Sequence, residues 1–319
     1  MNNKCIVISF IENLSLKENT RFTFFDWNIS NNFEELMGII PNPLSFFEGI
    51  GRIMMLALSQ TTFAYKIHDL EKGENHGNIL HSQWLELNSK LSLLWLYQDN
   101  SIFISKIFSQ GLNDHYVGIN QGDIILSNSR GLYERILFDD SFIEKIDADK
   151  LSTYVDLLFV PSNEIKITIP DSKVKGTSYE STYSSFSRIQ RTFSLLQIAR
   201  NTVLLPMKIG FYINALECLL VGMESELNFR LQVNTANFIG KTKDEKGKIR
   251  NIVKSAYDVR SKFFHGSIFK QKLDDLQSLS QELDGILRSA ILEAVNKQDI
   301  INAKDTSKFD EYFKSILFS

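Results

Sequence analysis

The sequence predicts an α+β protein in which a mixed, strand-rich N-terminal domain is followed by an all-α helical bundle. Three observations carry this reading. Up to about residue 170 the apolar residues come in short β-branched and aromatic runs bounded by polar turns, as strands require. A polar, hydroxyl-rich stretch then covers residues 171–184, the best linker in the chain. Beyond it, apolar residues recur at steps of three and four, which places them on single helix faces. The expected division is a recognition or regulatory domain at 1–180, a bundle at 185–297, and a C-terminal extension with a short helix at 298–319.

In order along the chain, Cys5–Ile11 and Thr20–Ile29 read as strands. Pro41 and Pro43 mark a turn. Leu44–Gln60 reads as a helix burying Phe47, Ile50, Met54 and Leu58, although Gly49 and Gly51 weaken it. Thr62–Ile67 is the next strand, and 71–78, with two glycines and no apolar residue, is a loop. Further strands are expected at Ile102–Ile107, Tyr116–Ile119 and Ile124–Leu126, a helix at Leu132–Ile146, a short element at Ser152–Phe159, and a strand at Ile165–Ile169 ending at Pro170.

In the second part Phe186, Ile189, Phe193, Leu196, Ala199 and Val203 line a first helix. Pro206 fits the opening turn of a second, lined by Ile209, Ile213, Leu216, Leu220 and Met223. A short piece at Leu231–Phe238 stops near Gly240. Lys248–Phe264 forms a third long helix with Ile249, Ile252, Val253, Ala256, Val259 and Phe263 inward. Leu273–Val295 forms a fourth, through Leu276, Leu279, Leu283, Leu287, Ala290 and Ala294. Phe309–Leu317 adds a last short amphipathic helix. Long helices with such connections are most simply a bundle.

With 319 residues, 43% apolar, 24 Phe and 10 Tyr, the chain can bury a core in each part. Its two cysteines, Cys5 and Cys218, point to free thiols in a reducing compartment and offer no thiolate metal cluster. No apolar run approaches the length of a membrane span, and the start of the chain does not read as a secretory signal. A cytoplasmic protein with no membrane partner is therefore expected. The net charge of -3 is uneven: residues 1–180 hold 15 Lys and Arg against 23 Asp and Glu, while residues 181–319 hold 20 against 15. A polyanion would favour the second part.

Candidate chemistry gathers where the third long helix stops. Arg260 offers a fixed donor fork for phosphate, and His265 can move a proton near neutral pH. Five positions separate them, about 140° around an ideal helix, so a kink or a second chain is needed for both to meet one phosphate. His265 before Gly266 also reads as a simple helix-capping histidine. Glu217, between apolar neighbours on the second helix, needs a cation, and Arg260 is the natural one; that pair reads equally as a structural clamp. Lys241, Lys243, Lys246, Lys248 and Arg250 form a basic run that suits an RNA backbone or a solvated loop before a helix. Trp27, Trp84 and Trp95 read as core. His76 and His81 lie close in sequence but lack the spacing of a metal site, and no glycine-rich phosphate loop or metalloprotease motif is present.

The run Tyr257-Asp258-Val259-Arg260-Ser261 through His265-Gly266 resembles the Arg-x4-6-His motif of HEPN domains. It is closest to the Apea-like branch, whose members commonly read Tyr-x-x-Arg-Ser-x-x-x-His-Gly. Ala215-Leu216-Glu217 is similar to the Ala-Leu-Glu of that branch's preceding helix. Leu227-Asn228-Phe229-Arg230-Leu231, followed by Ala236-Asn237-Phe238-Ile239-Gly240, resembles the segment between. The likeness spans roughly 185–297. It implies a metal-independent, cofactor-free endoribonuclease acting as a homodimer through the bundle, with RNA, including tRNA, as substrate, in a toxin or anti-phage defence setting. His265 and Arg260 would be catalytic, with Glu217, Tyr257, Asp258 and Ser261 in support, and an N-terminal domain that meets a trigger or regulator. Many active members of the wider superfamily carry Asn, Asp or His where this chain has Ser261, and other members only bind RNA or protein. A noncatalytic scaffold is the alternative expectation.

Overall fold

The computed structural model describes residues 4–72, 74–113, 115–159, 186–222, 226–267, 270–303 and 306–316. The expected linker at 171–184 and strand at Ile165–Ile169 lie outside these residues, as does Met223. The α+β layout holds. The chain divides into two compact units, residues 1–128 with 133–152, and residues 129–132 with 153–319.

The first unit contains β1 (Lys4–Glu12), β2 (Leu14–Leu16), β3 (Arg21–Phe24), β4 (Trp27–Ser30), α1 (Phe33–Ile39), α2 (Pro43–Ile50), α3 (Arg52–Leu58), β5 (Thr62–Asp69), α4 (Leu80–Ser92), a 3-10 turn (Leu93–Leu96), β6 (Phe103–Gly111), β7 (Val117–Gln121), β8 (Ile136–Phe138) and α5 (Asp140–Ile143). The next helix, α6 (Ala148–Leu158), straddles the division. Six strands form one antiparallel sheet in the order β3-β4-β5-β1-β6-β7. Side chains alternate across it. Ile6, Ile8 and Phe10 of β1 share a face with Phe63, Tyr65 and Phe108, and close a core with Leu36, Ile40, Phe46, Ile50, Met55 and Leu58 from the α1–α3 segment. On the other face lies α4, where Trp84 donates its indole N–H to the Ile104 carbonyl at 3.2 Å. The buried Lys66 there is matched by Asp26 at 2.6 Å and Glu86 at 3.3 Å and sits against the Trp27 ring, which is how a buried cation is tolerated.

Several local expectations are corrected. Leu44–Gln60 is two helices, broken at Gly51, whose φ of 80° only glycine adopts freely. The break changes the buried set to Phe46, Ile50, Met55 and Leu58, with Phe47 exposed. Thr20–Ile29 is a hairpin, turned at Phe25, with Phe24 paired to Trp27. Leu132–Ile146 is not one helix: β8 pairs in parallel with β2, and Asp139 then caps the short α5 by accepting from the Phe142 N–H. Ile124–Leu126 is irregular. The helix α4, not assigned from sequence, presents Leu80, Trp84, Leu87 and Leu91 along one face.

The second unit is helical: α7 (Arg188–Arg200), α8 (Leu205–Leu220), α9 (Leu227–Ile239), α10 (Lys243–Phe264), α11 (Leu273–Asn296), α12 (Gln298–Ile301) and α13 (Thr306–Ser315). The expected helices are all present. α9 is longer than the sequence suggested, and Val203, expected to line the first helix, is exposed beyond its end. α8 is the hub, with 11 of its 16 residues buried and contacts to α7, α9, α10 and α11. A polar tether also runs from α8 to each neighbour. Lys208 donates to the Ala199 carbonyl of α7 at 2.7 Å, and Asn234 of α9 donates to the Leu220 carbonyl at 2.8 Å. Tyr212 donates to Asp284 of α11 at 3.1 Å, and Arg260 of α10 reaches Glu217 at 3.6 Å. The last carbonyl turn of α8 is closed by Arg188, which donates to Cys218 and Val221, both at 3.1 Å.

Gly122 follows β7 where the chain passes the α4 indole. A Cβ there would lie 2.0 Å from the Trp84 ring, and Trp84 is buried and hydrogen-bonded in place. Gly122→Ala is therefore expected to destabilise the protein by about 1–3 kcal/mol through overpacking, read as a lowered midpoint in urea unfolding.

Candidate functional site

The sequence motif lies on the last two turns of α10 and the facing side of α8. α10 begins at Lys243, earlier than the apolar period indicated, because Thr242 caps it. The Thr242 side chain accepts from the Glu245 N–H at 3.2 Å while the Glu245 carboxylate accepts from the Thr242 and Lys241 N–H groups. Those backbone bonds hold the Glu245 carboxyl below its ordinary value. Lys243, Lys246, Lys248 and Arg250 are therefore helical, not part of a loop, with Lys241 just before the cap.

At the other end α10 stops as Gly266 predicts. His265 is the cap residue, Gly266 takes a φ of 68°, its N–H bonds to the Phe263 carbonyl at 3.2 Å, and the Ser267 N–H bonds to the Lys262 carbonyl at 2.9 Å. This is a Schellman closure. His265 is left exposed, with its N–H bonded to the Ser261 carbonyl at 3.0 Å.

Arg260 turns the other way, toward α8. Its Nη2 lies 3.6 Å from Glu217 Oε2 and donates to Asn214 Oδ1 at 3.3 Å, and its guanidinium carbon is 5.5 Å from the centre of the Tyr257 ring one turn back. The expected pairing with Glu217 is present. Asn214 was not anticipated, although it stands three residues before Glu217 and so on the same face of α8. The side chain of Arg260 is 28% exposed and that of Glu217 17%, so the guanidinium keeps donors toward solvent while the carboxylate lies beneath it. Glu217 Oε1 is buried without a hydrogen-bond partner among the described residues. Burial pushes the Glu217 carboxyl up, and the charge of Arg260 opposes that shift.

Close approach of α8 and α10 depends on Gly210. A Cβ there would meet the Phe264 ring at 2.4 Å. Asp258 is exposed, while Tyr257 and Ser261 are partly buried. Arg260 and His265 share no hydrogen bond or ion pair. Arg260 meets Glu217 and Asn214 of α8, whereas His265 is exposed at the cap.

Other candidates resolve as structure. Trp27, Trp84 and Trp95 are all buried. His76 bonds through Nδ1 to Ser109 Oγ at 2.8 Å, whereas His81 stacks on Trp84, so the two do not gather. Cys5 and Cys218 are free thiols, and burial pushes the Cys5 thiol up to about 11. Among the described residues no group of His, Cys, Asp and Glu is arranged to hold a metal, and no helix is long and apolar enough to cross a membrane. Comparison with family models, curated proteins and solved structures finds no match to this chain.

Two measurements follow from the geometry. A carboxyl whose folded pKa lies above its unfolded value holds its proton more tightly when folded, so stability falls as pH rises through that interval and is level above it. Glu217→Gln is expected to flatten this decline just above the ordinary carboxylate value of 4.5, read from urea midpoints across the weakly acidic range. Gly266→Ala forces an L side chain into the left-handed region and should cost about 1 kcal/mol, with faster amide exchange at Ser267.

Proposed function

We propose that the chain is a metal-independent endoribonuclease of the Apea-like HEPN type, acting as a homodimer. The observation that carries this reading is the placement of the motif. Arg260 is clamped from α8 by Glu217 and Asn214 with part of its donor fork open to solvent, while His265 stands exposed at a rigidly closed helix end. One group suits a phosphate and the other a mobile proton.

In this reading His265 removes the proton of a ribose 2′-hydroxyl, and the oxygen attacks the adjacent phosphorus. The bond to the 5′-oxygen breaks, that oxygen takes up a proton, and the products carry a 2′,3′-cyclic phosphate and a 5′-hydroxyl. Arg260 stabilises the charge that builds on the phosphoryl oxygens. Because the nucleophile is the 2′-hydroxyl, RNA and not DNA is the substrate. The two side chains diverge within one chain, so a second chain's motif is required to place an imidazole and a guanidinium on the same linkage. The N-terminal unit then serves to recognise a substrate, trigger or regulator.

The interhelical clamp favours one alternative, in which Arg260 only braces the bundle and the protein is a noncatalytic HEPN scaffold. The two readings separate experimentally. The purified chain should cleave single-stranded RNA or tRNA in the presence of chelator and leave cyclic phosphate ends. His265→Ala, at an exposed position, should lose about 100-fold or more of that activity while keeping its fold and association state. Equal cleavage by the variant overturns the assignment, and an intact dimer that leaves RNA uncut favours the scaffold.

A further inference from the structure

α10 carries seven Lys and Arg against three Asp and Glu, a net of +4 in a chain of net -3. These cations are not spread evenly around the helix. At about 100° per residue, Lys243, Arg250 and Lys254 fall within about 20° of one line along the helix, and Ser261 continues it. His265 falls about 40° from that line, and Lys246 flanks it on the other side at about 60°. Lys243, Arg250, Lys254 and His265 are all exposed, and among the described residues none of the three cations makes an ion pair. Lys248 and Lys262 lie well off the line, at about 140° and 100°. The apolar residues Val253, Ala256 and Val259, about 80°, 140° and 160° from the line, are buried.

Unpaired cations at one- and two-turn intervals, on one side of a straight element about 33 Å long, match a linear polyanion better than a compact one. We propose that α10 is a track for a single-stranded polynucleotide, whose backbone runs from Lys243 past Arg250 and Lys254 and arrives at His265. The contacts are to phosphates, so the track reads no base sequence. The substrate is held at the start of α10 and cut at its end. This deepens the ribonuclease reading and rests on it for the cutting step alone. Lys254, absent from the basic run seen in the sequence, is on the track, whereas Lys241 and Lys248 are not.

The test separates holding from cutting. Binding of a poly(dT) oligonucleotide, which has no 2′-hydroxyl, is measured by fluorescence anisotropy over a range of salt concentrations. Three phosphate contacts contribute a slope of about -2 in log K against log salt for a single strand. The triple variant Lys243→Ala, Arg250→Ala, Lys254→Ala should lose that contribution and bind correspondingly weakly, while Lys248→Ala with Lys262→Ala should change the slope little. A triple variant with the wild-type slope overturns the track, as does a double variant that loses as much. Preference for phosphatidylserine vesicles over poly(dT) also overturns it. If the slope behaves as expected but RNA is bound without being cut, the track stands and the nuclease reading fails.

Discussion

A helix enclosed on most sides has little room for charge, and α8 carries Glu217 nonetheless. The carboxylate cannot be hydrated as it would be at the surface, so its ionised form depends on the single guanidinium that α10 brings to it. That requirement fixes more than one pair. It sets which face of α10 looks toward α8 and brings Asn214 into the same contact. It also fits the glycine at 210, which lets the Phe264 ring lie against the backbone of α8. The other polar tethers of α8, to α7, α9 and α11, repeat the theme on its remaining sides. Packing alone lets helices of similar shape slide or rotate, whereas a hydrogen bond or ion pair at each interface admits one register.

The orientation imposed by this pair also sorts the rest of α10. With Arg260 directed inward, Lys243, Arg250, Lys254 and the cap residue His265 are among the residues that α10 exposes. One helix thus keeps apart a half-buried cation with assigned partners and a row of exposed cations with no ion pair among the described residues. The first kind resists salt and holds geometry; the second responds to salt and reaches for mobile anions.

The helical unit was legible because its periods are long and its punctuation is explicit. Pro206 sits in the opening turn of α8, Gly266 closes α10 in the left-handed conformation, and Glu217 found the partner that its apolar surroundings demanded. The N-terminal unit was less legible for a definite reason. β8 has only three residues and exists through pairing with β2 more than a hundred positions earlier, a contact with no local signature. The Leu44–Gln60 segment has a helical composition, and only the backbone freedom of Gly51 divides it. α4 does show a helical period, but its apolar positions are diluted by His81, Gln83, Asn88 and Lys90. Asn214 escaped notice because an amide among apolar neighbours announces no partner, whereas a carboxylate does.

The Schellman closure of α10 has a further consequence. It is made by backbone groups of Lys262, Phe263, Gly266 and Ser267, and the imidazole of His265 contributes nothing to it. An exposed side chain at the cap is thus insulated from folding demand. Exchange of that one side chain leaves every hydrogen bond of the closure in place, so position 265 can vary in chemistry without a change in how α10 ends.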